Sequence, residues 1–324
     1  MTYSSGGLIQ ATDYNGFVST NASNINDVWS TGASDKGYGQ SAISTVSAAG
    51  TITATQWASL VNDLSSLGSQ TGTTLTARSA PTAGTLISVL AAVNTDITNV
   101  TTNRNNAVAV GSQFTGWTGT NSKTAATTGA TWTITFTNTV TFASAAAARY
   151  FFNGGGLIKL DVSKTATGDL GDPEWNDLAN TLCGDIYISG VGTAHTIAAT
   201  SYTGVTKIGG TGTPATLQTT LGWYNLTTSD QIIYKQFADT APYTANFIQH
   251  QAKTAGTGTQ LVITTTWSAT DSGPGNADPI SGGTAPTGAT PGTAPCTICT
   301  YFPPSTTYLT SASWGTPTVA ATTV

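Results

Sequence analysis

The chain has 324 residues, 15 Asp+Glu against 10 Lys+Arg, a net charge of −5, and only 8% charged residues where about 25% is usual. That balance excludes a basic groove tracking phosphates, and no apolar run approaches the ~20 residues of a membrane-spanning helix. Three cysteines are too few for a disulfide framework, whereas eight Trp, eleven Tyr and nine Phe can build a core.

The length suggests two domains, or one large β domain with a smaller partner. The opening MTYSSGGLIQATDY has neither a basic stretch nor a long apolar one, so a Sec signal is not expected. With 67 threonines and 36 glycines, the composition is nonetheless of an outward-facing kind. A particle assembled in a host cytoplasm and released by lysis reconciles the two. A dedicated non-Sec export route is the competing reading.

Residues 1–112 carry helical periodicity. Ile25, Val28 and Trp29 predict a short helix over 24–30, and 34–40 reads as a loop. Thr53 with Gln56 forms a capping-box pattern, followed by Trp57, Leu60, Val61, Leu64 and Leu67 on one face, with Gly68 placed to stop the helix. A second helix is predicted from Thr85 to Asn105, with Leu86, Leu90, Val93, Ile97 and Val100 at heptad steps. It packs either on its own domain or in a short symmetric bundle between subunits.

Near residue 115 the period changes to two. Trp132, Ile134 and Phe136 alternate with threonines, and Val140 and Phe142 resume the pattern after Asn138, as in a half-buried strand or hairpin. A small-residue stretch, 143–152, ends in aromatics, and three glycines break it at 154–156. Leu157–Ser163 reads as a strand. Asp172 and Pro173 open a helix over 173–183 with Trp175, Leu178, Ala179 and Leu182 as its stripe. Strands are then expected at 185–189, 195–200, 221–227, 231–237, 246–253 and 260–269. Seven of the twelve prolines fall in 271–305, which predicts a loop or arm rather than a core strand, followed by one weak strand. The fold class expected is mainly β: a helical N-terminal region (1–112), an antiparallel β-sandwich-like domain with one inserted helix (113–270), and a Pro/Gly/Thr-rich arm (271–324).

Residues able to do chemistry are sparse. Asp161, Asp169, Asp172, Glu174, Asp177 and Asp185 form an acidic cluster that reads as a Ca²⁺ loop or, more simply, as charge favouring a helix start. Cys296 and Cys299 form a lone C-x-x-C, read as a local disulfide or two free thiols, because zinc would need further ligands and Pro303-Pro304 forbid a redox helix. His195 and His250 lie in predicted strands and read as structural. No catalytic residue, cofactor or metal is assigned. Tyr38, Trp117, Trp223, Tyr224 and Trp267 would suit sugar stacking or subunit contacts if exposed, with burial the default.

Two parts of the chain are familiar. Ala148-Arg149-Tyr150-Phe151-Phe152-Asn153-Gly154-Gly155-Gly156-Leu157-Ile158 resembles an Ala-Arg-Tyr-Phe-Phe-Asn-x-Gly-Gly-x-Ile segment of virion structural proteins of tailed bacteriophages, especially those infecting cyanobacteria and marine bacteria. Ile9–Phe17, Trp29–Gln40 and Thr53–Leu60 are similar to the opening of the same family, and the scattered blocks cover about half of the chain. Gly154 departs from the Ser or Ala expected there, and the Pro-rich end has no counterpart. The resemblance implies a non-enzymatic part of tail, neck, baseplate or fibre, located in the virion. It would be homo-oligomeric, a trimer by analogy with fibres, with other phage tail or neck proteins as partners and neither nucleic acid nor membrane. Rival readings are a fibre-tip adhesin for host-surface glycan, a glycan depolymerase needing two facing carboxylates, and a bacterial surface protein. The residues expected to carry structure or interface are Leu90, Val93, Ile97, Val100, Arg149, Tyr150, Phe151, Phe152 and Asn153. Arg149, isolated among alanines and aromatics, should reach backbone carbonyls or a carboxylate such as Asp161 or Asp185.

Overall fold

The computed structural model describes residues 9–20, 24–84, 92–120, 131–165, 172–270 and 295–323. Short helices open it: α1 (Ala11–Asn15), continued by a π turn, and α2 (Ile25–Trp29), capped by Asn24. Then α3 (Ala54–Thr71) begins with the reciprocal Thr53–Gln56 capping box expected of its sequence. It does not stop at Gly68. Gly68 is buried inside the helix, where a Cβ would come within 2.6 Å of Leu75 Cδ1, and the terminator is Gly72 at φ 67. The helix needs Gly68 for close packing and Gly72 for the left-handed cap.

The helix expected over 85–105 is shorter. Thr85, Leu86 and Leu90 lie outside the described residues, and α4 runs Val93–Thr102 because Ala92, at φ 64, breaks the helical backbone before it. Val93, Ile97 and Val100 are at most 1% exposed and pack in the chain's own core beside α2 and α3. The intradomain reading holds for these three. A seam between subunits would require the same side chains to be uncovered.

The β region forms two antiparallel sheets and a hairpin. The five-stranded sheet has the order β1 (Phe114–Thr120), β12 (Cys296–Phe302), β3 (Leu157–Ser163), β4 (Asp185–Ile188), β7 (Val205–Ile208). The six-stranded sheet has the order β13 (Thr318–Thr323), β2 (Trp132–Thr141), β11 (Gln260–Ala269), β10 (Phe247–Ala255), β9 (Gln231–Phe237), β8 (Thr216–Leu217). They enclose one core, with β1 beside β13 at one edge and β7 beside β8 at the other. The hairpin pairs β5 (His195–Ile197) with β6 (Thr200–Tyr202). β2 shows the burial alternation that its threonine pattern predicts, and it runs unbroken through Asn138, which is fully buried. The inserted helix is α6 (Asp172–Asp177), which passes into a π turn over Leu178–Cys183. Its Trp175 sits 4.8 Å from Trp132 and 5.8 Å from Trp267, ring centre to ring centre.

Further expectations change. Residues 221–227 are not a strand but carry a 3₁₀ turn, Trp223–Asn225, because Trp223 and Tyr224 donate their backbone N–H groups to Ser189 and Gly190. The strand expected over 195–200 is instead the β5–β6 hairpin, turned by Ala198 and Ala199 at φ 48 and 64. The small-residue stretch 143–152, for which no element was expected, holds α5 (Ala145–Asn153), capped by Ser144. The largest correction concerns the Pro/Gly-rich arm: Cys296–Phe302 is an interior strand between β1 and β3, buried along both faces. Its prolines flank the strand and do not interrupt it. Residues 271–294 lie outside the described residues.

Candidate functional site

The segment Ala145–Asn153 becomes a helix through its alanines, its Ser144 cap and a face of aromatics that bury. Phe151 and Phe152 point inward, within 5.2 and 5.8 Å of Phe142, and Phe152 stacks on Trp223 at 5.2 Å. Arg149 and Asn153, four residues apart, therefore share another face of the helix. That face meets the loop that follows α2.

Here the side-chain donors converge on backbone carbonyls. Arg149 Nε donates to the Ser34 carbonyl at 3.1 Å, and Nη2 donates to the carbonyls of Thr31 (3.1 Å) and Lys36 (3.0 Å). Asn153 Nδ2 donates to the carbonyls of Lys36 and Gly37, both at 2.9 Å. Tyr224 donates its hydroxyl toward the Ser34 carbonyl (2.8 Å) and Asn153 Oδ1 (2.7 Å). Burial raises the Tyr224 pKa although Arg149 draws it back, so the phenol stays protonated and donating. Tyr150 covers Gly39, at φ 68, where a Cβ would come within 2.4 Å of its ring.

The loop passes the connection onward. Tyr38, 1% exposed, donates its hydroxyl to the Arg104 carbonyl at 2.6 Å, just beyond α4. Gln40 Oε1 accepts from the Thr310 backbone N–H at 2.9 Å, and Ser313 donates its hydroxyl to the Tyr38 carbonyl at 3.0 Å. Residues 31–40 thus join the N-terminal helices, α5, the 223–225 turn and the C-terminal segment. A shallow cleft of about 510 Å³ lies beside the clamp, lined in part by Ser34, Arg149, Trp223, Tyr224 and Thr254.

Of the residues singled out from sequence, Arg149, Tyr150, Phe151, Phe152 and Asn153 come together here, while Val93, Ile97 and Val100 lie elsewhere in the same hydrophobic core. Arg149 reaches carbonyls, as expected, but not Asp161 or Asp185. Those two flank Lys159, whose Nζ lies 3.1 Å from Asp185 and 3.9 Å from Asp161. Tyr38, Gln40 and Tyr224 were missed as clamp members. A tyrosine or glutamine in a loop carries no local signal of its partner, although the Gly-Tyr-Gly-Gln run marks an unusual backbone.

The other chemistry-bearing candidates scatter. Cys183, Cys296 and Cys299 are free and buried; Cys296 and Cys299, three apart on a strand, point to opposite faces. Burial pushes the Cys296 thiol up to about 11 and the other two to about 12. His195 Nδ1 lies 2.8 Å from the Thr193 carbonyl, and His250 Nδ1 lies 2.8 Å from Thr265 Oγ1. Burial lowers both imidazoles, His250 to about 3. Of the five aromatics considered for surface contacts, Tyr38, Trp223 and Trp267 are buried, and Trp117 and Tyr224 are half-buried. In the acidic cluster, Glu174 and Asp177 meet Asp239 instead of Asp161 or Asp185, and Asp169 lies outside the described residues. No helix among the described residues is long and apolar enough to cross a membrane. No family model, curated protein or solved structure matches the chain.

Proposed function

We propose that the chain is a structural component of a tailed-bacteriophage virion, associated with the tail, neck or fibres, and that it acts by assembly rather than catalysis. The observation that carries this reading is the clamp. Two stretches of the phage resemblance, 29–40 and 148–158, lie more than a hundred residues apart in sequence, and Arg149 and Asn153 tie them together through bonds to backbone carbonyls. Shared residues that meet in space describe a common structural unit, which a chance likeness of two separate segments would not require. The charge-poor, threonine-rich composition suits a surface that packs against copies of itself and other virion proteins. A homo-oligomer, by analogy a trimer, belongs to the proposal, but its contact is not the α4 stripe.

Mass spectrometry and immunogold labelling of purified particles from the host that carries the gene test the reading. The chain should copurify with particles in fixed stoichiometry and label the tail or neck. Particles that lack it would overturn the proposal.

A second reading, a glycan-binding adhesin, has one feature in its favour. Phe114 is 50% exposed at a cleft of about 360 Å³ whose lining includes Tyr301, Pro303 and Trp314. An open aromatic ring beside a pocket can stack on a sugar. Glycan-array binding that Phe114→Ala abolishes would favour this role within the particle.

A further inference from the structure

The carboxylates of Glu174, Asp177 and Asp239 have oxygens within 4.8 Å of one another. Glu174 and Asp177 lie on α6, and Asp239 follows β9, so the group joins the inserted helix to the six-stranded sheet. None of the ion pairs among the described residues involves any of the three. In a chain with so few charges, three unneutralised acids at this spacing repel one another.

A second feature goes beyond acid clustering. Glu174 is only 8% exposed, and its Oε1 is shut off from water with no hydrogen-bond donor. A buried carboxylate oxygen without a partner is costly, and the cost is relieved by a proton or by a bound cation. Thr240 hydrogen-bonds the Glu174 carboxylate through its backbone and its side chain, and Oε1 is the oxygen left without a donor.

We propose that Glu174, Asp177 and Asp239 form a calcium site that latches α6 to the end of β9. The donor set is all oxygen, which suits a hard cation and offers nothing to soft or borderline metals that prefer nitrogen and sulfur. Ca²⁺ with ligands at about 2.3–2.6 Å can touch oxygens up to roughly 4.6–5.2 Å apart, whereas Mg²⁺ at about 2.0–2.1 Å spans only roughly 4.0–4.2 Å. Asp239 is exposed, leaving room for the waters that complete a Ca²⁺ shell. The latch shares no residue with the Arg149 clamp and does not depend on the virion reading.

The test uses the full chain, stripped with EDTA and exchanged into 0.1 M NaCl at pH 7.5. Calorimetric titration with CaCl₂ should show one site per chain, and the melting midpoint should climb with the logarithm of Ca²⁺ concentration. Mg²⁺ at equal concentration should give at most a tenth of the affinity. Glu174→Gln, which keeps the shape, and Asp239→Asn, at an exposed position that should not disturb folding, should each weaken Ca²⁺ binding at least tenfold. The proposal is overturned if the parent chain takes up no Ca²⁺, or if Asp239→Asn binds as tightly as the parent. A Glu174→Gln chain that melts higher than the parent, with neither responding to Ca²⁺, would show that Glu174 is simply protonated.

Discussion

Arg149 shows how one charge can organise a charge-poor neighbourhood. Its planar fork donates to three carbonyls of one loop, a geometry that a lysine ammonium cannot reproduce. Arg149→Lys should therefore destabilise measurably, and Arg149→Ala should cost about 2 kcal/mol in urea unfolding. Arg149→Met should fall below the alanine cost because it keeps the packing of the stem. An Arg149→Ala curve that overlays the parent would remove the clamp's structural role. A buried ion pair that the sequence did not mark joins Arg78 to Asp96, at side-chain exposures of 8% and 4%. Asp96 also accepts from the Thr76 backbone N–H, at 3.2 Å. Arg78→Ala should cost about 3–5 kcal/mol by stranding that carboxylate, and Arg78→Met with Asp96→Leu should recover most of the loss. His250 makes a pH prediction. Its folded pKa lies near 3, below the 6.5 of a free imidazole, so the unfolded chain takes up the proton first. Its contribution is complete above pH 6.5 and is lost as pH falls toward 3, on the order of 5 kcal/mol in full. Unfolding free energies of His250→Gln and the parent, compared at pH 7 and pH 4, should show the gap between them closing or reversing at acid pH. Asp63, raised by burial to about 6, works the other way, losing stability as pH rises from about 4 to 6, so the comparison with the variant is the informative one.

At the scale of elements, α4 and β12 show opposite failures of local pattern. The heptad steps through Val93, Ile97 and Val100 are real, but one buried stripe is the same whether its partner is another subunit or another part of the chain. The left-handed backbone at Ala92 and the packing on α2 and α3 decide for the latter. Ile97→Asp should therefore abolish folding, seen as loss of the cooperative melt and of tryptophan burial. A folded monomer from that substitution would restore the subunit seam. The strand β12 was hidden by its surroundings. Seven residues free of Pro and Gly, CTICTYF, are too few to outweigh the prolines on either side in any sliding reading. The strand exists because β1 and β3 both offer it unpaired edges. Its outer side is covered too: the backbone of Ala107 bridges to Ile197, and Ala107, Ile197 and Tyr202 share a small apolar cluster with Phe302. Helix α5 is a milder case: Ser144 and four alanines favour a helix, yet the aromatics that follow read equally as strand formers.

For the whole molecule, few charges mean little for salt to screen. Raising NaCl from 0.05 to 0.5 M, with EDTA present, should move the melting midpoint by no more than a few degrees. A much larger shift would contradict a fold held by apolar burial and neutral hydrogen bonds. The sequence alone determined the class, because binary pattern is local: period two with threonine outward gives half-buried strands, and the Thr53–Gln56 box starts a helix wherever it is placed. It also marked Arg149 as needing acceptors, whether carbonyls or a carboxylate, since an isolated guanidinium must find them. Which carbonyls these are, how the last strand enters the five-stranded sheet, and the meeting of Glu174, Asp177 and Asp239 were decided only in three dimensions. Each depends on residues brought together by chain closure across tens to hundreds of positions, and side chains at that separation leave no periodicity to read.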